Sequence, residues 1–276
     1  MGVTIDIDDV DFDFGDQAEE SPVPNLKPHS TAGTSIIFDI ETGPRPWAEI
    51  EKFYTPPEKL PPFDPAAVKC GNLGAEKAKE KIAKAAADHA AAVANEAAAA
   101  EQHKAEWLSK AALSPITGRV LAIGMQACVD IKTAETPNIL EYGGEGMLLA
   151  YFWAAFDRIV ADGGQLVGFN CQFFDLPFLV RRSWLLDVDV PDGVMKGRYF
   201  SSVFVDLMVL WGCGGNGMVS LDMLAKYFGI GGKPDGIDGG MFAAMYENPE
   251  TREQALAYLR NDLEMTAGVA RKMGVC

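Results

Sequence analysis

The stretch Ser35-Ile36-Ile37-Phe38-Asp39-Ile40-Glu41-Thr42-Gly43 limits what this chain can fold into more than any other. Its apolar, β-forming residues run up to Gly43 and Pro44, a pair that ends strands, so the stretch reads as a buried strand. Side chains alternate along a strand: Asp39 and Glu41 share one face, Phe38 and Ile40 the other. Two carboxylates placed together at the end of an apolar strand repel one another and lose hydration. Either the strand end is solvated and binds nothing, or a hard divalent cation such as Mg²⁺ compensates the pair. Further acids downstream decide between the two.

The length of 276 residues suits one large domain carrying an insertion, and a hydrophobic fraction of 48% supplies a core. The net charge of −15 argues against a nucleic-acid partner only weakly, because eight acids and no base fall in residues 1–20, leaving −7 for the rest. Residues 1–33 alternate Ile or Phe with Asp and then turn to Pro and Ser, which predicts an acidic, disordered tail. It serves as a solubilising extension or as a peptide that docks a protein partner. The first residues lack the pattern of a secretory signal, and no apolar run reaches bilayer length, so a cytoplasmic protein with no membrane partner is expected. Five scattered cysteines without a Cys-x-x-Cys pair predict neither a disulfide framework nor a zinc site, and fit a reducing compartment.

An insertion over residues 44–112 follows the first strand. Its first part is Pro-rich and reads as an irregular loop; residues 75–112 are dominated by Ala, Glu and Lys, without Pro or Gly. Uninterrupted, that helix extends about 57 Å. Large apolar residues are sparse in it, so a projecting arm is expected, with a fold-back near Asn95 as one form of it. Lys77, Lys79, Lys81 and Lys84 offer contacts to phosphate, or simply a solvated charged face.

Beyond the insertion, strands are predicted over Gly118–Val129, near Asn138–Tyr142, over Gln165–Asn170 and over Val203–Val205. Helices are predicted over Gly143–Ala161, from Phe174, over Leu221–Phe228 and over Glu253–Lys272. Three strands followed by alternating helices and strands give an α/β fold with a mixed sheet.

Asp175 stands at the mouth of a predicted helix, with Pro177 in its first turn. It is an N-cap on one reading, a ligand beyond the end of a strand on the other. Tyr258 and Asp262, four residues apart, share a face of the last helix. Phe38-Asp39-Ile40-Glu41-Thr42, then Gly168-Phe169-Asn170 leading to Phe174-Asp175, then Tyr258-x-x-x-Asp262 together resemble the DEDD superfamily of 3′–5′ exonucleases. The middle motif is most similar to that of the proofreading domain of family B DNA polymerases. The last has the form of the tyrosine subclass, since Ala257 stands where the histidine subclass carries its His.

The resemblance covers roughly residues 34–272 apart from the arm. It implies an RNase H-like mixed five-stranded sheet flanked by helices, over a domain of residues 34–276. It further implies that Asp39, Glu41, Asp175 and Asp262 hold two Mg²⁺ or Mn²⁺ ions, that Tyr258 orients a water, and that single-stranded DNA is shortened from its 3′ end to nucleoside 5′-monophosphates. Thr42, Asn170 and Phe178 are then expected to meet the substrate, with core packing as the other reading of Phe178. With no length for palm, fingers and thumb, the chain is expected to act alone. An exoribonuclease with the same site and a non-catalytic binding module are the competing readings. Asp206 and Asp222 read as helix starts or supports of the site; Arg181, Arg182 and Arg260 read as solvated surface or phosphate contacts.

Overall fold

The computed structural model describes residues 34–128, 137–141, 143–215, 218–233, 236 and 239–276. The acidic tail expected over residues 1–33, with His29, lies outside them. Strand β1 (Ser35–Pro44) is the centre of a five-stranded mixed sheet. On one side β2 (Gly118–Ala127) runs antiparallel to it and β3 (Asn138–Leu140) antiparallel to β2. On the other side β4 (Gln165–Gly168) runs parallel to β1. Outside β4, and paired directly with it, lies the parallel edge strand β7 (Phe204–Asp206), which follows in sequence a separate two-stranded ribbon of β5 (Met195–Lys196) and β6 (Tyr199–Phe200). The order β3-β2-β1-β4-β7 is that of an RNase H-like α/β fold.

The alternation of β1 sorts its side chains between two helical layers. Phe38 points to α3 (Glu145–Ala161), where its ring lies 5.5 Å from Phe152 and 6.4 Å from Phe204. Helix α4 (Asp175–Leu185) closes that layer, joined to α3 by the Trp153 indole donating to Ser183 Oγ at 2.8 Å. Ile37 points the opposite way, into a core formed by α6 (Leu221–Tyr227), α7 (Gly239–Glu247) and α8 (Arg252–Lys272). Leu259, Leu263 and Ala267 of α8 are fully buried in that core. On that same face follow Asp39 and Glu41.

A glycine lets α8 come close. Gly124 of β2 pairs with Asp39, and a Cβ there would lie 2.5 Å from Leu263 and 3.2 Å from Leu259. A larger residue at this register position holds α8 away from the acids of β1.

The insertion is a single helix, α2 (Ala75–Ala111), and shows no fold-back at Asn95. One Asn costs an Ala-rich helix less than 1 kcal/mol, so it does not break it. What runs alongside the helix is the Pro-rich segment after α1 (Trp47–Ile50), laid over it as an extended strap. The Leu60 N–H donates to Glu96 at 3.3 Å, His89 donates to the Pro61 carbonyl at 2.8 Å, and Lys81 donates to the Lys69 carbonyl at 2.6 Å. Strap residues thus run from the body outwards while α2 returns. The half-buried positions of α2, among them Ala78, Ile82, Ala85, His89, Glu96 and Ala100, recur at helical spacing under the strap. The alanines among them admit its backbone, and His89 and Glu96 hydrogen-bond it.

Arg182 corrects the solvated reading. It is buried, paired with Glu145 through Nη2 at 2.6 Å and Nε at 2.7 Å, and donates to the Pro115 carbonyl at 2.9 Å. Arg260 pairs with Glu253 at 2.6 Å, and Arg181 is exposed. The expectation of no disulfide is also overturned: Cys128 and Cys276 are bridged across 148 residues, with Cα atoms 6.0 Å apart. Such a pairing depends on where the chain returns, which spacing in sequence does not reveal. The reading of a reducing compartment loses that support. Among the described residues no helix is long and apolar enough to cross a membrane.

Candidate metal centre

Three carboxylates from β1 and α8 converge. Asp39, Glu41 and Asp262 each bring an oxygen within 4.8 Å of the others. Asp175, the first residue of α4, is held beside them by the backbone, its Oδ1 accepting the Ile40 N–H at 3.2 Å. Asp39, Asp175 and Asp262 line a cleft of about 320 Å³ together with Asn170, Phe174 and Lys233. Glu41 lies just behind, buried where a β-bulge shifts the pairing between Glu41 and Thr42.

Crowding and burial act together on these groups. Burial pushes the Asp39 carboxyl well above the usual carboxylate range, and the charges of Asp175, Glu41 and Asp262 push it further. Glu41 is raised likewise, by burial and then by Asp262. Asp175 is pushed up to about 7, chiefly by burial, although the Ile40 N–H opposes the shift. Asp262 is raised by burial, with the Lys233 hydrogen bond working against it. Such a set binds protons or cations more readily than it stays charged.

Lys233 enters this centre unforeseen. From the Gly-rich loop after α6 its ammonium donates to Asp262 Oδ2 at 2.8 Å and to the Tyr258 hydroxyl at 2.5 Å. Burial lowers its pKa, but these two hydrogen bonds and the charge of Asp262 outweigh that and raise it. The loop is fixed by Asp222, which accepts the Lys233 N–H at 2.8 Å and the Lys226 ammonium at 2.8 Å. Tyr258 is pushed up to about 12, mainly by burial, so its phenol stays protonated and acts as a donor or acceptor, not as a base.

Asp206 does more than start a helix. Its carboxylate caps α5 (Leu207–Trp211) through Met208 N–H at 2.9 Å and Val209 N–H at 3.4 Å. It also accepts the Asn170 and Gln172 N–H groups, both at 2.9 Å. Asn170 has φ of +61°, and these bonds hold the turn that leads into Asp175.

Of the three residues expected to meet substrate, the structure sets Asn170 on the cleft and buries the other two. Thr42 is 8% exposed, beyond the bulge. Phe178 is 2% exposed and offers no face to a base, which corrects that reading: it stands one turn into α4 on the core side, its ring 5.7 Å from Phe174. Phe174 reaches the cleft instead.

The donor set fits a hard divalent cation. All four groups are carboxylates, and the buried Asp262 Oδ1 has no hydrogen-bond partner, so an electron pair is left for a ligand. A family profile described as a predicted 3′–5′ exonuclease related to the exonuclease domain of PolB matches residues 106–267, more than half of the chain. The chain belongs to this family of predicted PolB-related exonucleases. The matched span of this family member takes in Asp175, Lys233, Tyr258 and Asp262 and begins beyond β1. Among solved structures, the family B DNA polymerase of the hyperthermophilic archaeon Pyrobaculum calidifontis is similar in fold, with 16% sequence identity and a TM-score of 0.50. The likeness covers 88% of the exonuclease-family chain but only 25% of the polymerase, so the chain spans about a quarter of that protein's length. A search of curated proteins finds no match.

Proposed function

We propose that this chain is a metal-dependent 3′–5′ exonuclease that removes nucleoside 5′-monophosphates from single-stranded DNA. The observation that carries the reading is the meeting of Asp39, Glu41 and Asp262 within 4.8 Å, beside Asp175, in a chain of the PolB-related exonuclease family. Asp39, Glu41, Asp175 and Asp262 would hold the cations, two Mg²⁺ or Mn²⁺. When bound, such ions supply Lewis acidity and neutralise the charge that builds up as a phosphodiester is hydrolysed.

The remaining work falls to the protein. Tyr258 directs its hydroxyl into the centre and orients water there; Lys233, bonded to that hydroxyl and to Asp262, fixes both and brings positive charge towards a phosphate. Asn170 and Phe174 line the cleft where a terminal nucleotide fits. A single strand suits it, because an unpaired 3′ end enters a narrow cleft that a duplex does not.

The test uses 5′-labelled DNA and RNA of one sequence with Mg²⁺, Mn²⁺ or EDTA. A ladder shortened from the 3′ end of DNA, absent in EDTA and absent for Asp39→Ala, is expected. Preference for RNA makes the protein an exoribonuclease, and intact substrate in every lane makes it a non-catalytic module.

A further inference from the structure

We infer that the strapped helix α2 is a rigid outrigger whose basic tip binds the phosphate backbone of the same nucleic acid, well upstream of the 3′ end in the cleft. The inference rests on the nucleic-acid reading above and adds to it a second, remote contact surface.

Rigidity comes first. At its base the arm is fastened to the body by Trp107, whose ring lies 6.1 Å from Trp47 and 5.4 Å from Tyr54, with the Lys104 ammonium 4.0 Å over the Trp47 ring. Tyr54 also hydrogen-bonds His103 at 3.1 Å. The segment leaving α2 is tied to the sheet: the Arg45 N–H donates to the Thr117 carbonyl at 2.8 Å, and its guanidinium to that of Ile116 at 3.1 Å. Buried Arg182 takes the Pro115 carbonyl, so α4, which begins at Asp175, and the arm share an anchor. Along its length the strap then braces the helix. A free Ala-rich helix frays, whereas one fixed at the base and braced along a side keeps its direction.

Charge is the second observation. From the outward end of the strap to Lys84 the chain carries Lys69, Lys77, Lys79, Lys81 and Lys84 against Glu76 and Glu80, in a protein whose net charge is −15. All five lysines are exposed. Lys79 is paired with Glu76, while Lys69, Lys77 and Lys84 make no ion pair among the described residues. The rest of the helix, from Ala85 on, reverses the balance, with four acids against Lys104 and Lys110. Positive charge is therefore gathered at the far end and removed from the shaft. A helix needing only solubility has no reason to sort its charges along its axis.

The reach of the arm sets the prediction. From Trp107 to Ala75 the helix runs about 48 Å, the rise of roughly 14 nucleotides at duplex spacing. Short oligonucleotides fill the cleft without touching the tip; long ones bridge both.

The test compares wild type with the triple variant Lys69→Glu, Lys77→Glu, Lys84→Glu, binding fluorescent single strands of about 6 and about 30 nucleotides in EDTA over a salt series. Helicity measured by circular dichroism checks that the arm still folds. The variant should bind the long strand at least tenfold more weakly, with a shallower salt dependence by about two charges, and the short strand as wild type does. Equal binding of the long strand by both proteins overturns the inference, and so does an equal loss on both lengths. Because binding is read without hydrolysis, absence of nuclease activity leaves this comparison standing.

Discussion

The Lys233 ammonium stands 2.8 Å from Asp262 Oδ2: a loop lysine and a helix aspartate 29 residues apart share no sequence motif, yet they form one unit with Tyr258. The pair joins the only base between Lys226 and Arg252 to the acid that α8 brings to β1. Lys233→Ala removes the group that fixes both Asp262 and the Tyr258 hydroxyl. Its kcat should fall by about 100-fold, the scale of losing a positioned polar group, while the protein stays folded. Lys233→Arg should not restore it, because a planar guanidinium does not reproduce the ammonium's two contacts. Single-turnover rates check this, and unchanged kcat in Lys233→Ala removes the residue from the mechanism.

Protonation of the acids makes stability depend on pH when no metal is present. Asp175 holds its proton up to about pH 7 in the folded protein, against 3.8 for the ordinary carboxyl. Between those values the folded state binds the more protons, so stability is fully present below the lower value and is lost as pH rises through the higher. Asp39 and Glu41 shift in the same direction. In chelator, Tm should therefore fall from pH 5 to pH 8, and Asp39→Asn should raise Tm at pH 8 by removing a charge from the cluster. Excess Mn²⁺ at pH 8 should restore stability, by about 2.7 kcal/mol at a hundred times Kd. A Tm that rises over the same range in chelator contradicts the electrostatics described above.

Gly124→Ala tests the close approach of α8. The added methyl meets Leu263 at 2.5 Å and Leu259 at 3.2 Å, opposite Asp39 in the β1–β2 register. Overpacking of this kind costs about 1–3 kcal/mol. Because the strain falls between the acids of β1 and Asp262, metal affinity should fall along with Tm. A loss of Tm with metal affinity intact would show that α8 yields elsewhere.

The Cys128–Cys276 bridge closes a loop of 148 residues. Constraining the unfolded chain to that extent stabilises by up to about 5 kcal/mol in the chain-entropy description. Cys128→Ser should lower Tm by several degrees and make the melt insensitive to dithiothreitol, while wild type loses the same stability on reduction. Identical melts of wild type with and without reductant would show that the bridge contributes nothing.

Much of this molecule can be read from short-range pattern. The alternation over Ile36–Glu41 sets the central strand and its two faces, and the spacing of Leu256, Leu259 and Leu263 sets the buried side of α8. The four acids are legible because each sits at the end of a strand or on a helix face whose period is plain. Lys233 is not, since the loop that carries it has no period; the signal available was a lone base in a Gly-rich run between two helices. For Phe178 the sequence leaves both substrate stacking and core packing open, and burial at 2% exposure decides for the core. Helix α7, buried through Phe242 and Tyr246, follows Gly-rich sequence that hides its start. The strap and the disulfide rest on chain return over long separations, which no local pattern carries.

The convergence of four carboxylates on divalent cations is tested most directly by titrating Mn²⁺ into the purified protein at pH 7 and following heat and proton release. Saturable binding with release of protons is expected for wild type, weakened at least tenfold by Asp39→Asn and by Asp262→Asn alike, though the two lie on different elements. Absence of saturable binding in wild type, or equal affinity in wild type and both variants, would contradict the account.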